Sequence, residues 1–164
     1  MPVTTLEEAR TRLTFKTGDL LNATEDYIGH GANCMNVMGA GVAKAIRNKW
    51  PRAFDCDREF HHRCKREGKD QLGQFSAVKI GDKTIVNLYT QRWLGADARA
   101  VEVFHSITTL FHSEEEGGTS TVAIAIPRIG CGIGGLLWKD VEKQLLIALT
   151  FFPHCSIVVY DLER

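Results

Sequence analysis

Two glycine-rich segments contain the residues whose types and spacing point most directly to chemistry. The first is Met38-Gly39-Ala40-Gly41-Val42-Ala43, and the second is Pro127-Arg128-Ile129-Gly130-Cys131-Gly132-Ile133-Gly134-Gly135. Each follows an apolar run typical of a strand and precedes a run typical of a helix. A loop in that place can direct backbone N–H groups and a helix N-terminus at an anion. Either segment alone is compatible with a tight turn, but two that face each other predict a ligand with adjoining phosphates, which favours a nucleotide.

Neither segment matches the common nucleotide-binding motifs. Gly39-x-Gly41 is followed by Lys44 at the position where a dinucleotide-binding fingerprint requires glycine or alanine. No G-x-x-x-x-G-K-S/T run occurs, which excludes a P-loop nucleotide hydrolase on motif grounds. The predicted phosphate site therefore belongs to another class of fold.

Two polar side chains follow predicted strands close to these segments. Asp19 comes after Gly18 at the end of one strand, and Asn33 comes just after the next strand. A carboxylate in that place can accept a hydrogen bond from an exocyclic amino group, as on adenine, and an amide can hold ribose hydroxyls. Both residue types are also common in turns and helix caps, so a structural role stays open for each.

The elements that must position these residues alternate along the chain. Residue patterns predict strands over 12–16, 27–32, 74–80, 83–89, 121–126 and 156–160, and helices over 41–50, 51–66, 96–112 and 138–152. This alternation predicts an α/β fold with a mixed sheet and helices on both faces. Ligands of such sheets bind beyond the carboxyl ends of the strands, where both glycine-rich segments and Asp19 fall.

Length and composition predict one globular domain over residues 1–164, with a core at about 12–162. No apolar run reaches the roughly 18 residues of a membrane span, so we expect no membrane partner. Glu7 and Glu8 argue against an N-terminal signal peptide. Five cysteines, an odd number without a close spacing framework, favour reduced thiols and a cytoplasmic location.

The charge is balanced overall but uneven along the chain. A net charge of zero argues against broad attraction to nucleic acid. Residues 44–69 nevertheless hold nine Lys or Arg against four Asp or Glu. This excess is typical of solvated helix faces, and a local basic surface that helps to hold a polyanionic substrate is the alternative.

A cluster of His61, His62, Cys64 and Cys56 has the residue types of a zinc site. On a helix, His61 and Cys64 share a face, whereas the other two side chains point elsewhere. Four ligands do not converge, so we expect no metal and no other cofactor.

Four segments together carry a resemblance to a known family. They are Thr17-Gly18-Asp19-Leu20, His30-Gly31-Ala32-Asn33 and the two glycine-rich segments, the second extended to Leu136. In order and spacing they resemble the macrodomain family over residues 13–162. The chain is most similar to the branch with terminal ADP-ribose protein glycohydrolase, DNA ADP-ribosyl glycohydrolase antitoxins and ADP-ribose 1''-phosphate phosphatases. The resemblance implies a three-layer α/β/α fold and a cleft for ADP-ribose or an ADP-ribosylated substrate. Separately, we expect a monomer.

The resemblance also implies roles for the matching residues. Asp19 would bind the adenine amino group, Asn33 the distal ribose, and Tyr160 would stack on adenine. Residues 39–42 would face the diphosphate and distal ribose, and residues 129–134 would wrap the diphosphate from the other side. The ligand-binding residues expected on this basis are Asp19, Leu20, Asn33, Gly39, Ala40, Gly41, Val42, Ile129, Gly130, Cys131, Gly132, Ile133, Gly134 and Tyr160.

The sequence departs from the family at its catalytic positions. Glycohydrolases of this branch resemble one another in a strand-end Thr-Lys-Arg with a catalytic lysine, whereas this chain has Thr90-Gln91-Arg92. Gly134 stands where the protein glycohydrolase has an aspartate, and Ala43 stands where other hydrolases have one. An amide cannot form a covalent adduct at the anomeric carbon, and glycine cannot relay a proton. The lysine–aspartate mechanism is therefore not expected.

These residues lead to a hypothesis of hydrolysis at the distal ribose of an ADP-ribose derivative. Candidate substrates are ADP-ribose 1''-phosphate, an ADP-ribosyl ester and O-acetyl-ADP-ribose. His30 is the nearest candidate base, if it does not point into the sheet, and Asn33 would orient the ribose. Two alternatives stay open. One is a reader that binds ADP-ribose without chemistry, and the other is a hydrolase of nucleic-acid-linked ADP-ribose.

Overall fold

A computed structural model describes residues 3–162 of the chain and contains five helices and six strands in that range. The helices are α1 Leu6–Arg10, α2 Gly41–Lys49, α3 Pro51–Glu67, α4 Ala100–Glu116 and α5 Trp138–Phe151. The strands are β1 Leu13–Thr17, β2 Tyr27–Asn33, β3 Phe75–Ile80, β4 Lys83–Gln91, β5 Ala123–Ile126 and β6 Ser156–Asp161. A short 3-10 turn covers Leu20–Asn22. No helix within residues 3–162 is long and apolar enough to cross a membrane.

The strands form one mixed sheet in the order β1-β6-β5-β2-β4-β3. All neighbouring pairs are parallel except β3 and β4, which form an antiparallel hairpin around Gly81, at φ +63°. Glycine adopts this positive φ without a steric penalty. The predicted mixed α/β sheet is thus confirmed.

Helices cover both faces of the sheet. On one face, α4 and α5 bury residues such as Ile107, Leu110 and Leu145 against β5 and β6. On the other face, α2 and α3 contribute Ile46 and Ala53 to a second cluster. Each cluster removes the apolar side of its helices from water, which is the main driving force for this layered arrangement. The expected three layers are therefore present.

Two elements differ from the sequence prediction. Helix α4 begins at Ala100 rather than near residue 96, because the Asp97 carboxylate accepts the N–H groups of Arg92 and Trp93 and holds the preceding residues as a loop. For residues 1–11 the sequence indicated only a helix turn or a loose end, and the structure forms helix α1 there, with Thr5 and Glu8 as a capping box at its start. Met1 and Pro2, which belong to the N-terminal segment discussed above, lie outside the described residues.

Five strands end at the same edge of the sheet. Because β1, β6, β5, β2 and β4 run parallel, their carboxyl ends lie side by side there. The chain passes from β5 directly into the second glycine-rich segment, and from β2 through residues 34–37 into the first. The edge is the place where a binding site can form between them.

Candidate functional site

A cavity of about 550 Å³ opens between the two glycine-rich segments. We call residues 38–43 loop 1 and residues 127–137 loop 2. The volume falls in the range of sites for small organic ligands, about 300–1,000 Å³. The residues that line it are Gly31, Ala32, Asn33, Val37, Gly39, Ala40, Gly41, Val42, Ala43, Thr90, Gln91, Leu94, Gly95, Pro127, Arg128, Ile129, Gly130, Gly132, Ile133 and Gly134.

Loops 1 and 2 approach each other across the cavity. A Cβ atom built on Gly41 would lie 3.8 Å from Cδ1 of Ile133, in ordinary van der Waals contact. Gly41 has φ +57° and is the first residue of α2, so glycine suits this turn. The two loops therefore form opposite walls of one binding site.

Both walls present backbone N–H groups. The first turn of α2, from Gly41, has no intrahelical acceptors for its N–H groups, and Ala40 supplies no side-chain cap. In loop 2, the N–H groups of Gly132, Ile133 and Gly134 make no hydrogen bond to any described residue. Donors of this kind, together with a helix N-terminus, favour an anion between the loops.

The shape of loop 2 depends on its glycines. Gly130 and Gly135 have φ values of +76° and +82°. The Leu136 N–H donates to the Gly130 carbonyl at 2.7 Å, and the Ala98 N–H donates to the Gly134 carbonyl at 3.2 Å. These bonds hold the loop in a compact turn, so its free N–H groups are fixed before a ligand arrives.

Ten of the residues expected to bind a ligand line the cavity. They are Asn33, Gly39, Ala40, Gly41, Val42, Ile129, Gly130, Gly132, Ile133 and Gly134. The structure adds Thr90, Gln91, Leu94, Gly95 and Arg128. The signal for Thr90 and Gln91 was present in the strand-end Thr-Gln-Arg, but nothing in the sequence places Leu94 and Gly95 beside β2.

The Asn33 side chain shapes the chain that leads into loop 1. Its Oδ1 accepts the Met35 N–H at 3.0 Å, and its Nδ2 donates to the Val37 carbonyl at 2.9 Å. Because an amide has two lone pairs and two hydrogens, each end keeps one further position for a ligand. Asn33 thus has the turn-forming role that the sequence left open. It also lies in the wall of the cavity, where a ligand can reach it.

Gln91 stabilises the loop that follows β4. Its Nε2 donates to the carbonyls of Trp93 and Gly95, at 2.7 and 3.1 Å. Together with the bonds from Asp97, these contacts fix residues 92–97 beside the cavity. Gln91 therefore has a structural task in the place where related glycohydrolases have a lysine.

His30 does not face the cavity, which corrects its assignment as a candidate base. The ring is fully buried, and its Nε2 lies 2.6 Å from Oδ1 of Asn87 on β4. Burial lowers the pKa of His30 from its usual value of 6.5, which favours the neutral ring. Side chains alternate across a strand, so the side chain of His30 points to the α3 face.

Tyr160 also lies away from the cavity. Its ring packs against the second core cluster, and its hydroxyl donates to Oε1 of Glu25 at 2.6 Å. Lys16 lies over the ring at 5.8 Å. This packing leaves the ring partly buried, and its stacking on adenine stays a prediction.

Asp19, Leu20 and Cys131 are not among the lining residues. Asp19 is exposed, and its Oδ1 accepts the Leu21 N–H at 2.9 Å as a cap, so its contact with adenine stays a prediction. The Leu20 side chain is buried in the core. The Cys131 thiol contacts the Ile129 carbonyl, and burial raises its pKa, which favours the protonated thiol.

The lining contains no acid or base that titrates near neutral pH. Arg128 is its one charged residue, and no Asp, Glu, His, Lys, Cys or Tyr is present there. The nearby Cys34 thiol has a pKa raised to about 12 by burial, which keeps it protonated. Within residues 3–162, no group of three His, Cys, Asp or Glu side chains is arranged to hold a metal ion. Apart from Arg128, the cavity therefore offers a ligand backbone donors and neutral side chains.

Comparison with known proteins identifies the class to which this fold and site belong. The family model described as Macro domain matches residues 30–145, more than half of the chain. The solved macrodomain of Mycobacterium tuberculosis DarG superposes with a TM-score of 0.74 at 28% identity, over 90% of this chain and 96% of that one. The chain therefore belongs to the macrodomain family.

Two curated relatives carry names that describe activities. The "DNA ADP-ribosyl glycohydrolase" of Mycobacterium tuberculosis (strain ATCC 25618 / H37Rv) is 30% identical over 152 residues, which cover 90% of this chain but 42% of that protein. The "ADP-ribose 1''-phosphate phosphatase" of Chaetomium globosum is 25% identical over 161 residues, 85% of each chain. The chain thus spans less than half of the glycohydrolase and most of the phosphatase.

Proposed function

We propose that this protein binds the ADP-ribose group and hydrolyses bonds at its distal ribose whose leaving group departs as a stable anion. The names of both relatives contain ADP-ribose or ADP-ribosyl. The observation that carries the proposal is the pair of facing loops, whose free N–H groups and α2 N-terminus suit a diphosphate.

The strand order allows two directions for the ligand, and the side chains at the two ends favour one of them. With the diphosphate between the loops, one end of the ligand extends over β2 and β4 and the other over β5 and β6. Asn33 and Gln91 lie at the β2–β4 end, where Asn33 can both donate to and accept from a ribose hydroxyl and Gln91 can accept with its Oε1. The distal ribose is assigned to this end.

The reaction must proceed without an acid or base from the lining. Water adds to the anomeric carbon, the bond from that carbon to the leaving oxygen breaks, and the oxygen keeps the bonding electrons. The proton of the water passes to solvent. A phosphate or a carboxylate leaves readily as an anion, which favours ADP-ribose 1''-phosphate and ADP-ribosyl esters as substrates. The protein contributes positioning, which by itself accelerates reactions strongly.

Calorimetric titration with ADP-ribose tests the binding step, with AMP as the control ligand. We expect micromolar affinity for ADP-ribose, about −8 kcal/mol, and much weaker binding of AMP. Gly41→Glu should abolish binding, since it places a carboxylate among the N–H donors. The matched control is Gly81→Glu in the β3–β4 hairpin. Gly81 has a φ of +63°, close to the +57° of Gly41, and a Cβ added there would meet nothing within 4 Å. Absence of ADP-ribose binding by the unaltered protein contradicts the proposal.

A second candidate function is that of a reader without catalysis. The specific observation in its favour is the lining without an acid or base. Turnover of ADP-ribose 1''-phosphate at saturating protein separates the two functions. Release of phosphate above the uncatalysed rate, abolished by Gly41→Glu, supports the hydrolase, and binding without release supports the reader.

A further inference from the structure

A groove of about 880 Å³ lies beside β3 and shares no lining residue with the cavity between loops 1 and 2. Its walls come from α3 and from the C-terminal end of α4, and its base comes from Phe75, Ser76 and Ala77 of β3. Since β3 is the last strand in the sheet order, no strand of the described residues covers its outer side. The groove therefore follows an open edge of the sheet, which can accept a further strand.

The backbone of β3 directs N–H and carbonyl groups into this groove. The Tyr89 N–H of β4 donates to the Gln74 carbonyl at 3.0 Å, directly before β3. Bonded and unbonded pairs alternate along an antiparallel ladder, so Ser76 bonds to β4, whereas Phe75 and Ala77 direct their backbone groups outwards. The ladder runs through β3 without a bulge, and the strand contains no proline. Two features that commonly prevent pairing at an edge are thus absent from β3.

The α3 wall of the groove is mainly basic. Four of its lining side chains are of basic types, namely Arg58, His62, Arg63 and Arg66. Glu59 is the one acidic residue of this wall. Arg58 pairs with Asp55 at 3.0 Å, whereas Arg63 and Arg66 are exposed and form no ion pair within residues 3–162. These two arginines are therefore available to the carboxylates of a partner.

The α4 wall has a different character. Ser113 and Glu114 line it, and the Glu114 carboxylate accepts the Tyr27 hydroxyl at 2.5 Å. Side chains alternate across a strand, so a strand added at β3 would direct every second side chain to the arginines and the others to α4. Acidic residues suit the first set, and uncharged residues suit the second, which would lie close to Glu114.

We propose that this groove binds an extended segment of a partner protein in which acidic and uncharged residues alternate. The segment adds to the sheet as a strand beside β3, with backbone bonds to Phe75 and Ala77 and carboxylates against Arg63 and Arg66. The free backbone edge favours a peptide over a nucleic acid, which has no matching ladder of N–H and carbonyl groups. This binding goes beyond the proposed function and leaves the ADP-ribose cavity open.

Fluorescence anisotropy with labelled peptides of roughly eight residues, enough to span one strand, tests the proposal. The probe alternates Glu and Thr. One control peptide alternates Glu and Pro, which keeps the charge but removes N–H donors, and another alternates Lys and Thr. We expect micromolar binding of the Glu-Thr peptide and binding of both controls that is weaker by about tenfold or more.

Variants of the protein separate charge from strand pairing. Arg63→Glu/Arg66→Glu should weaken binding of the Glu-Thr peptide about tenfold. The matched control is Arg52→Glu/Lys65→Glu, which reverses two exposed charges of α3 outside the groove and should change binding less than about twofold. Ala77→Pro removes an outward N–H without removing a bond to β4, and should also weaken binding about tenfold. ADP-ribose affinity should be the same in all variants.

Each other outcome overturns the proposal. Equal binding of the Glu-Thr and Glu-Pro peptides shows that charge alone acts, and equal weakening by the two double variants shows a general electrostatic effect. Tighter binding of a single-stranded oligonucleotide of the same charge assigns the groove to nucleic acid. Absence of binding of the Glu-Thr peptide to the unaltered protein also contradicts the proposal. Melting temperatures show whether each variant is folded, and the comparison of peptides on the unaltered protein decides strand pairing even if Ala77→Pro is not.

Discussion

At the scale of single residues, Gly134 and Gln91 show why this cavity differs from that of a lysine–aspartate glycohydrolase. A Cβ on Gly134 would lie 2.7 Å from the Ala98 Cβ and 2.8 Å from the Gly130 carbonyl oxygen. Gln91 holds two carbonyls of the following loop. The absent aspartate and lysine are therefore replaced by residues that the local packing requires.

Gly134→Asp should destabilise the protein instead of restoring a catalytic carboxylate. We expect a loss of about 1–3 kcal/mol in the free energy of unfolding, because backbone and Ala98 must move to admit the side chain. Urea unfolding followed by circular dichroism measures it. The control is Gly132→Ala in the same loop, where a Cβ meets nothing within 4 Å. A change for Gly134→Asp as small as that control would contradict the packing argument.

Gln91→Lys should not raise hydrolysis of ADP-ribosylated substrates. The new ammonium group would lie next to the Trp93 and Gly95 carbonyls that Gln91 now binds, and Gly134 supplies no carboxylate partner. Release of ADP-ribose from an ADP-ribosyl ester, with binding measured in parallel, provides the readout. An increase in rate at unchanged affinity would show that the cavity supports the lysine mechanism after all.

At the scale of elements, a buried polar network connects β2, β4, β3 and α3. Asn87 accepts from His30 and donates to Ser76, at 2.6 and 3.1 Å. The Tyr89 hydroxyl lies 2.8 Å from Ser76 and donates to Asp57 at 2.7 Å. Burial raises the pKa of Asp57 and lowers that of His30. The network fixes α3 to the sheet beneath the cavity and leaves Nδ1 of His30 without a partner within the described residues.

The stability of the protein should fall below about pH 6.5 because of His30. The pKa of His30 is lower in the folded chain than in the unfolded chain. As the pH falls, the unfolded chain therefore takes up the proton first, and this stabilises it relative to the folded chain. Between about pH 7 and pH 5 the free energy of unfolding should therefore decrease by at most about 1.4 kcal/mol per unit of falling pH. His30→Gln, which keeps an amide for Asn87, should remove that slope in urea unfolding curves.

Comparison of the two unfolding curves cancels the opposite contribution of Asp57, which is present in both proteins. Identical pH profiles for His30→Gln and the unaltered protein would show that His30 does not titrate as its burial requires. Since the ring does not reach the cavity, ADP-ribose binding by His30→Gln should stay unchanged.

At the scale of the whole molecule, the proposed activity predicts that substrates are selected by their leaving group. No lining residue can protonate a departing atom. The rate should therefore fall as the basicity of the leaving group rises. We expect hydrolysis of ADP-ribose 1''-phosphate and of ADP-ribosyl carboxylate esters, and none of an ADP-ribosyl group attached to a nucleobase. Product release from the three substrates at equal concentration measures this order. Efficient cleavage of the nucleobase-linked substrate would contradict it and favour the nucleic-acid alternative.

Much of the fold was predictable from the sequence because its signals are local. Predicted helix starts at Gly41, Pro51 and Trp138 match α2, α3 and α5, since glycine-rich turns and proline determine them within a few residues. The Gly81-Asp82 hairpin was predictable for the same reason. The start of α4 was not, because it depends on a bond from Asp97 back to the end of β4.

The sequence by itself determined the α/β class, the two glycine-rich loops and their place at the ends of strands. Those features depend on contacts within a few residues. Only the tertiary structure decided that His30 is fully buried in the core and that Leu94 and Gly95 line the cavity. Alternation along a strand defines two sides, but the helices that pack from distant parts of the chain decide which side is core. The chemistry available in the site was therefore decided by packing between residues far apart in sequence.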